Sequence, residues 1–267
     1  MWREFTQAYL LSLSYDGSGF KGWVKQPSTR TVQQILEDAI KHLIKKVPFK
    51  VLGASKTDRG VHALDQKVLL QLDFEISNLT SFLHGLNKKL PPDVRVNTIQ
   101  RVANDFNVRQ VVQKTYCYTI NDHQFDIFRQ RYELHWTKGL IDVDKLKKWL
   151  TLFVGNHDYF CFSGLKNAER SSFQTIRSIE SITAIRDQDN RIKIYFQAKG
   201  FIRYQIRMIV GACLQAYLNN PRSHEALIKL RLTGEGDKSP FIVDGKGLCL
   251  VGITYQQGSE KQTYKED

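Results

Sequence analysis

No run of apolar residues in this 267-residue chain reaches the about 18–20 positions that a bilayer span requires. The apolar patch in MWREFTQAYLLSLSYDG follows Glu4, and no small-residue cleavage site comes after it, so it does not read as a signal sequence. Leu11, Leu13 and Tyr15 alternate there with Ser12 and Ser14, as in a strand. Cysteine is scarce: Cys117, Cys161, Cys213 and Cys249 are far apart, with no CxxC and no Cys/His pair at ligand spacing. Reduced packing thiols, a cytoplasmic location and no metal are therefore expected. Neither a dinucleotide fingerprint nor a P-loop is read, and no cofactor is expected. Acid is also short, with 27 Asp and Glu against 39 Lys and Arg, a net charge of +12. That excess points to a polyanionic partner, nucleic acid before an anionic membrane, or else to a merely basic surface.

What is present is ordinary globular material, 42% hydrophobic and 25% charged, enough for one large domain or two small ones. YLLSLSY (9–15) reads as a strand. Thr31 and Gln34 form a T-x-x-Q capping box before a helix with Val32, Ile35, Leu36, Ala39, Ile40, Leu43 and Ile44 on one face. KVLGA (50–54) and QKVLLQLDF (66–74) are strands, Ser77 caps a second helix, and DVRVNTIQRV (93–102) closes a β-α-β-β-α-β unit. The element order then repeats. A strand at 111–120 is followed by a helix capped by Asp142, a hairpin of 177–185 with 191–198, a helix near 203–218 and a last strand at 247–255. The polar tail QQGSEKQTYKED is expected to fray. The expected fold is α+β. Two tandem ferredoxin-like or RRM-like halves, 1–105 and 106–267, form one antiparallel-rich mixed sheet with helices on one face and a central basic cleft. RNA-recognition domains use such four-stranded sheets, although the fold hosts many functions.

Between the middle strands of the first half lies GASKTDRGVHALDQ (53–66), too polar for core. Asp58-Arg59-Gly60 makes an ordinary turn, in which Asp bonds the backbone and Gly accepts a positive φ. A plain hairpin needs about two to five residues, however, and this connection spends about eleven. An exposed carboxylate on a loop with rigid flanks is also where functional groups concentrate. His62 has no metal-ligating partner nearby in sequence, so it reads as a packing or hydrogen-bonding residue.

KTDRGVHALDQ resembles the R-T-D-x-G-V-H-A-x-x-Q loop of the tRNA pseudouridine synthase A family. The likeness extends over nearly the whole chain, in order. YDGSGFKGW with Gln26 resembles the family's opening, TVQQILEDAI its first helix and LNKKLPPDVRV its L-N-x-x-L-P segment. FNVR before KTYCY, then FIRYQIRMIVG and GLCLVGITY, are similar to its later motifs.

The resemblance implies isomerisation of uridine to pseudouridine in the tRNA anticodon arm, at positions 38, 39 and 40, by a cofactor-free homodimer. It assigns Asp58 as the carboxylate that acts as nucleophile or base, and Arg207 as its cationic neighbour. Tyr116 is the ring against the target base, with Tyr118 two residues on. Lys56, Arg59, Arg109, Lys114 and Arg203 are candidates for gripping RNA. Without the motif, Arg207 reads as a surface helix residue, and either Tyr as core. The chain also departs from the family pattern. Lys56 replaces the usual Arg and loses its planar fork, while Arg59 stands where Ala is common. Val24 replaces Gln, and Arg203 and Tyr204 stand where His is frequent. Two rivals remain: a catalytically silent RNA-binding or RNA-folding protein, and a pseudouridine synthase with another RNA target.

Overall fold

The computed structural model describes residues 5–45, 47–256 and 263–265; Glu4 and tail residues 257–262 and 266–267 lie outside that set. The chain forms two compact units, Met1–Val112 with Leu250–Asp267, and Gln113–Cys249.

The first unit runs β1 (Gln7–Tyr15), α1 (Val32–Ile44), β2 (Phe49–Gly53), β3 (His62–Leu72), α2 (Leu79–Asn87) and β4 (Val94–Val102). β1 lies between β3 and β4, antiparallel to both, and β2 pairs antiparallel with the far half of β3. Leu11, Leu13, Val68, Leu70, Leu72 and Val96 are buried in this sheet, Leu36 and Ile40 in α1, and Leu83 and Leu86 in α2.

Both helix caps expected in this unit differ. Thr31 precedes α1 but makes no capping bond, and its buried Oγ1 has no hydrogen-bond partner. The first amides of α1 are satisfied instead by a segment upstream: Val32 N–H donates to Gly22 O (3.2 Å) and Gln33 N–H to Trp23 O (3.1 Å). Gln34 turns down the helix and donates to Asp38 at 2.9 Å. In α2 the cap is Asn78, one residue after Ser77, because its Oδ1 accepts the Ser81 N–H at 2.8 Å.

The second unit contains β5 (Gln113–Asn121), β6 (Leu134–His135), α3 (Val143–Thr151), β7 (Gly155–Asp158), β8 (Ile176–Arg186), β9 (Ile192–Ala198), α4 (Gln205–Tyr217) and α5 (Glu225–Arg231). Its strand order is β5-β9-β8-β7, antiparallel throughout, with β6 added parallel to β5. Asp142 caps α3 as expected, accepting from Asp144 N–H and Lys145 N–H. All four cysteines are free.

β10 (Leu248–Thr254) begins in the second unit, and from Leu250 onward belongs to the first. The first unit therefore extends beyond residue 105 and reclaims the chain's end. Val112 N–H donates to Thr254 O (2.9 Å), Tyr255 Oη to Val108 O (2.8 Å), and the Phe106 and Tyr255 rings meet at 5.1 Å. Part of the tail does not fray: β11 (Thr263–Lys265) pairs antiparallel with β4, Thr263 opposite Gln100.

Candidate active site

β3 starts at His62, four residues earlier than the alternation of apolar residues suggests, which shortens the polar connection to residues 54–61. Polar bonds fix that early start. Gln66 is fully buried, and its amide clasps Ser55 on both sides, donating to Ser55 O (2.7 Å) and accepting Ser55 N–H (3.1 Å). Ala54 N–H donates to Lys67 O at 2.8 Å. The buried ring of His62 accepts Gly17 N–H at Nδ1 (3.0 Å), the hydrogen-bonding role expected of it.

The rest of the loop rests on YDGSGFKGW. Trp23 N–H donates to Thr57 O (3.0 Å) and Gly60 N–H to Phe20 O (3.4 Å). The Tyr15 and Thr57 hydroxyls are hydrogen-bonded at 2.7 Å in a buried position. Two glycines permit this approach. A Cβ on Gly17 would stand 2.1 Å from Val61 O. One on Gly22, whose φ is +103°, would stand 2.7 Å from Thr57 O. Gly17, Gly19 and Gly22 do have G-x-G-x-x-G spacing after a strand. They form only a single 3-10 turn and do not open an α-helix, since α1 begins at Val32, and they serve protein contacts where a dinucleotide loop would serve phosphate.

Asp58 is thus the first residue of a turn, with Val61 N–H donating to Asp58 O (3.2 Å) and Gly60 at φ +76°. The turn reading holds: Thr57 and Val61 are buried anchors, and Asp58 between them is half-exposed. Lys56 and Arg59 flank it, both exposed.

In the second unit, Tyr116 and Tyr118 on β5 are both buried. The Tyr116 ring meets the edge of Phe201 at 5.4 Å. Tyr118 Oη donates to Asp244 O at 2.9 Å, and burial pushes its phenol far above the usual tyrosine range. Arg207 is the third residue of α4 and is half-buried; its Nε donates to Val243 O at 2.8 Å, and its guanidinium stands 5.1 Å from the centre of the Tyr204 ring. Arg203 donates from Nε to Gly164 O (3.0 Å) and pairs with Glu169 (3.0 Å).

A profile of tRNA pseudouridine synthases matches residues 12–109 and 150–256. The tRNA pseudouridine synthase A of Mesoplasma florum is 48% identical over 93% of this chain and 98% of its own length. That of Spiroplasma kunkelii is 40% identical over 92% and 93%, and tRNA pseudouridine synthase A 2 of Clostridium perfringens 34% over 92% and 98%. This chain belongs to the tRNA pseudouridine synthase family. Members are isomerases that convert uridine to pseudouridine.

The expected pseudouridine synthase residues divide between the units: Lys56, Asp58, Arg59 and Arg109 in the first, Lys114, Tyr116, Tyr118, Arg203 and Arg207 in the second. Arg109 is exposed and lines a cavity of about 350 Å³ with Asp105, Asn107 and Gln71; Lys114 is half-buried on β5. Among the described residues, no three His, Cys, Asp or Glu side chains are grouped to hold a metal. The contacts of Phe201 with Tyr116, of Gly164 with Arg203 and of Gln66 with Ser55 were not expected from the sequence. The clasp had a visible signal, the Gln ending the loop motif; Gly164 had none.

Proposed function

We propose that this pseudouridine synthase acts on the anticodon arm of tRNA, at positions 38, 39 and 40, with Asp58 as the reacting carboxylate. The observation that carries the assignment is the fixing of Asp58 between buried anchors by two separate parts of the chain, the Gln66 clasp and the Gly17–Trp23 segment. A loop held so firmly around a half-exposed acid is a preorganised group, and reacting groups need that.

In this reading the N1–C1′ bond breaks, the uracil turns over, and C5 bonds to C1′. The proton on C5 leaves as N1 regains one, so atoms balance without any redox step. Asp58 acts as nucleophile or base, and the family resemblance pairs it with Arg207, whose charge favours the ionised carboxylate. Tyr116 is the stacking surface for a base that must rotate, backed by Tyr118 on the same strand; stacking tolerates either orientation. Lys56, Arg59, Arg109, Lys114 and Arg203 contact phosphate or the opened stem, since a stacked uridine must leave its helix to react. The working form is a cytoplasmic homodimer, with one tRNA touching both subunits.

The test maps pseudouridine, position by position, in unmodified tRNA carrying uridine at 38, 39 and 40. The wild type is expected to modify these positions and Asp58→Ala none, with tRNA still bound. Modification confined to another arm of the tRNA overturns the target assignment; activity in Asp58→Ala overturns the role of the acid.

A further inference from the structure

Tyr204 immediately precedes α4 with φ +67°, ψ −3°, the left-handed region that a bulky side chain ordinarily avoids. Its neighbours hold it there. Gln205 N–H donates to Ile202 O (3.0 Å), and the buried Gln205 side chain accepts Ile202 N–H through Oε1 (2.8 Å), closing the turn. Gly164 N–H donates to Arg203 O (2.7 Å), and the Arg203 guanidinium returns bonds to Gly164 O. Met208 N–H donates to Tyr204 O at 2.9 Å, starting the helix.

The result is a specific placement of the ring. It lies on Gly164 so closely that a Cβ there would stand 2.3 Å from its Cδ2. The Arg207 guanidinium stands 5.1 Å from the ring centre, and that of Arg203 6.0 Å. Arg207 is therefore held at two points, by Val243 O on Nε and by the face of Tyr204. Backbone strain retained by this many bonds marks a position kept for what its side chain does. A glycine would serve the turn without strain, but would leave Arg207 with one of these supports missing.

We infer that Tyr204 is a positioning residue for Arg207: the left-handed turn exists to set an aromatic face against that guanidinium. The inference rests on the proposed role of Arg207. The experiment measures kcat and KM for pseudouridine formation in tRNA, together with the melting temperature, for Tyr204→Gly, Tyr204→Phe and Arg207→Ala. Tyr204→Gly is expected to melt no lower than the wild type, because strain is relieved, while kcat falls at least tenfold and KM moves less than threefold. Tyr204→Phe keeps the ring and is expected to restore kcat to within threefold of the wild type. Wild-type kcat in Tyr204→Gly, when Arg207→Ala has lost activity, overturns the inference alone. A Tyr204→Phe enzyme as slow as Tyr204→Gly also overturns it, since the hydroxyl would then be what matters. Wild-type kcat in Arg207→Ala instead overturns the assignment of Arg207, and the inference with it.

Discussion

Tyr116 and Tyr118 share a strand, but their hydroxyls and rings are used differently. Tyr118 is fully buried and its hydroxyl serves a backbone carbonyl, that of Asp244. Tyr118→Phe strands that carbonyl and is expected to cost about 1–3 kcal/mol in urea unfolding, with kcat for tRNA changed less than threefold. Tyr116 meets Phe201 edge-on. Tyr116→Leu removes the proposed stacking surface and is expected to lower kcat at least a hundredfold, more than the loss of a buried ring takes from stability alone. A stable, active Tyr116→Leu enzyme would remove that residue from the reaction. The motifs attached expected roles to single residues but said nothing where backbone geometry decides. Nothing about a tyrosine announces a left-handed backbone, so Tyr204 was legible only as a departure from His.

The glycines and polar clasps belong to the scale of elements. Gly22→Ala forces a side chain into the positive-φ region and toward Thr57 O, 2.7 Å from the new Cβ. The expected cost is about 1–3 kcal/mol, with a fall in kcat larger than that of an equally destabilising core variant, because the displaced segment ends at Asp58. A kcat that tracks stability alone would argue against the loop as the reacting element.

A second element tie lies at the end of β5. The Asp122 carboxylate is buried and takes two bonds from Arg186 at 2.8 Å, joining the residue after β5 to the last residue of β8. Burial alone would raise the Asp122 carboxyl, but bonds from Arg186, Ile141 N–H and His123 outweigh it and hold the group well below the usual carboxylate range. A carboxyl lowered by folding adds stability that is complete above its unfolded value, about 3.9, and lost as pH falls through the folded value. Asp122→Ala is therefore expected to be about 3 kcal/mol less stable than the wild type at neutral pH, a gap that narrows below about pH 4. A gap that does not change down to pH 2 would contradict this.

Alternating apolar residues made β9 readable because one of its faces is buried along its whole length, whereas β1 alternates in sequence but is buried at nearly every position. Caps and strand ends were less readable because distant segments decide them. Gly22 and Trp23 satisfy the start of α1, and Ser55 and Gly17 bury polar residues that open β3.

For the whole molecule, the charge of +12 and the division into two units carry the argument. The excess of positive charge pointed to a polyanionic partner or a merely basic surface, and the order of strands and helices pointed to the mixed α and β class that the described residues form. The exact division did not follow from sequence, because the contacts of Phe106, Val108 and Val112 with the end of β10 join residues far apart in the chain. Binding of tRNA is expected to weaken steeply with salt, by about 10³–10⁵ between about 50 and 200 mM if six to ten phosphates are contacted. A salt-independent Kd would contradict a charge-driven interface.

The central claim is that Asp58 drives the replacement of the C5–H bond of uracil by a bond to the sugar. Tritium release from tRNA labelled at uracil C5 measures that step directly. Release is expected from the wild type, and none from Asp58→Ala under conditions where that variant still binds tRNA. Release by Asp58→Ala at the wild-type rate, or none by well-folded wild type on unmodified tRNA, would contradict it.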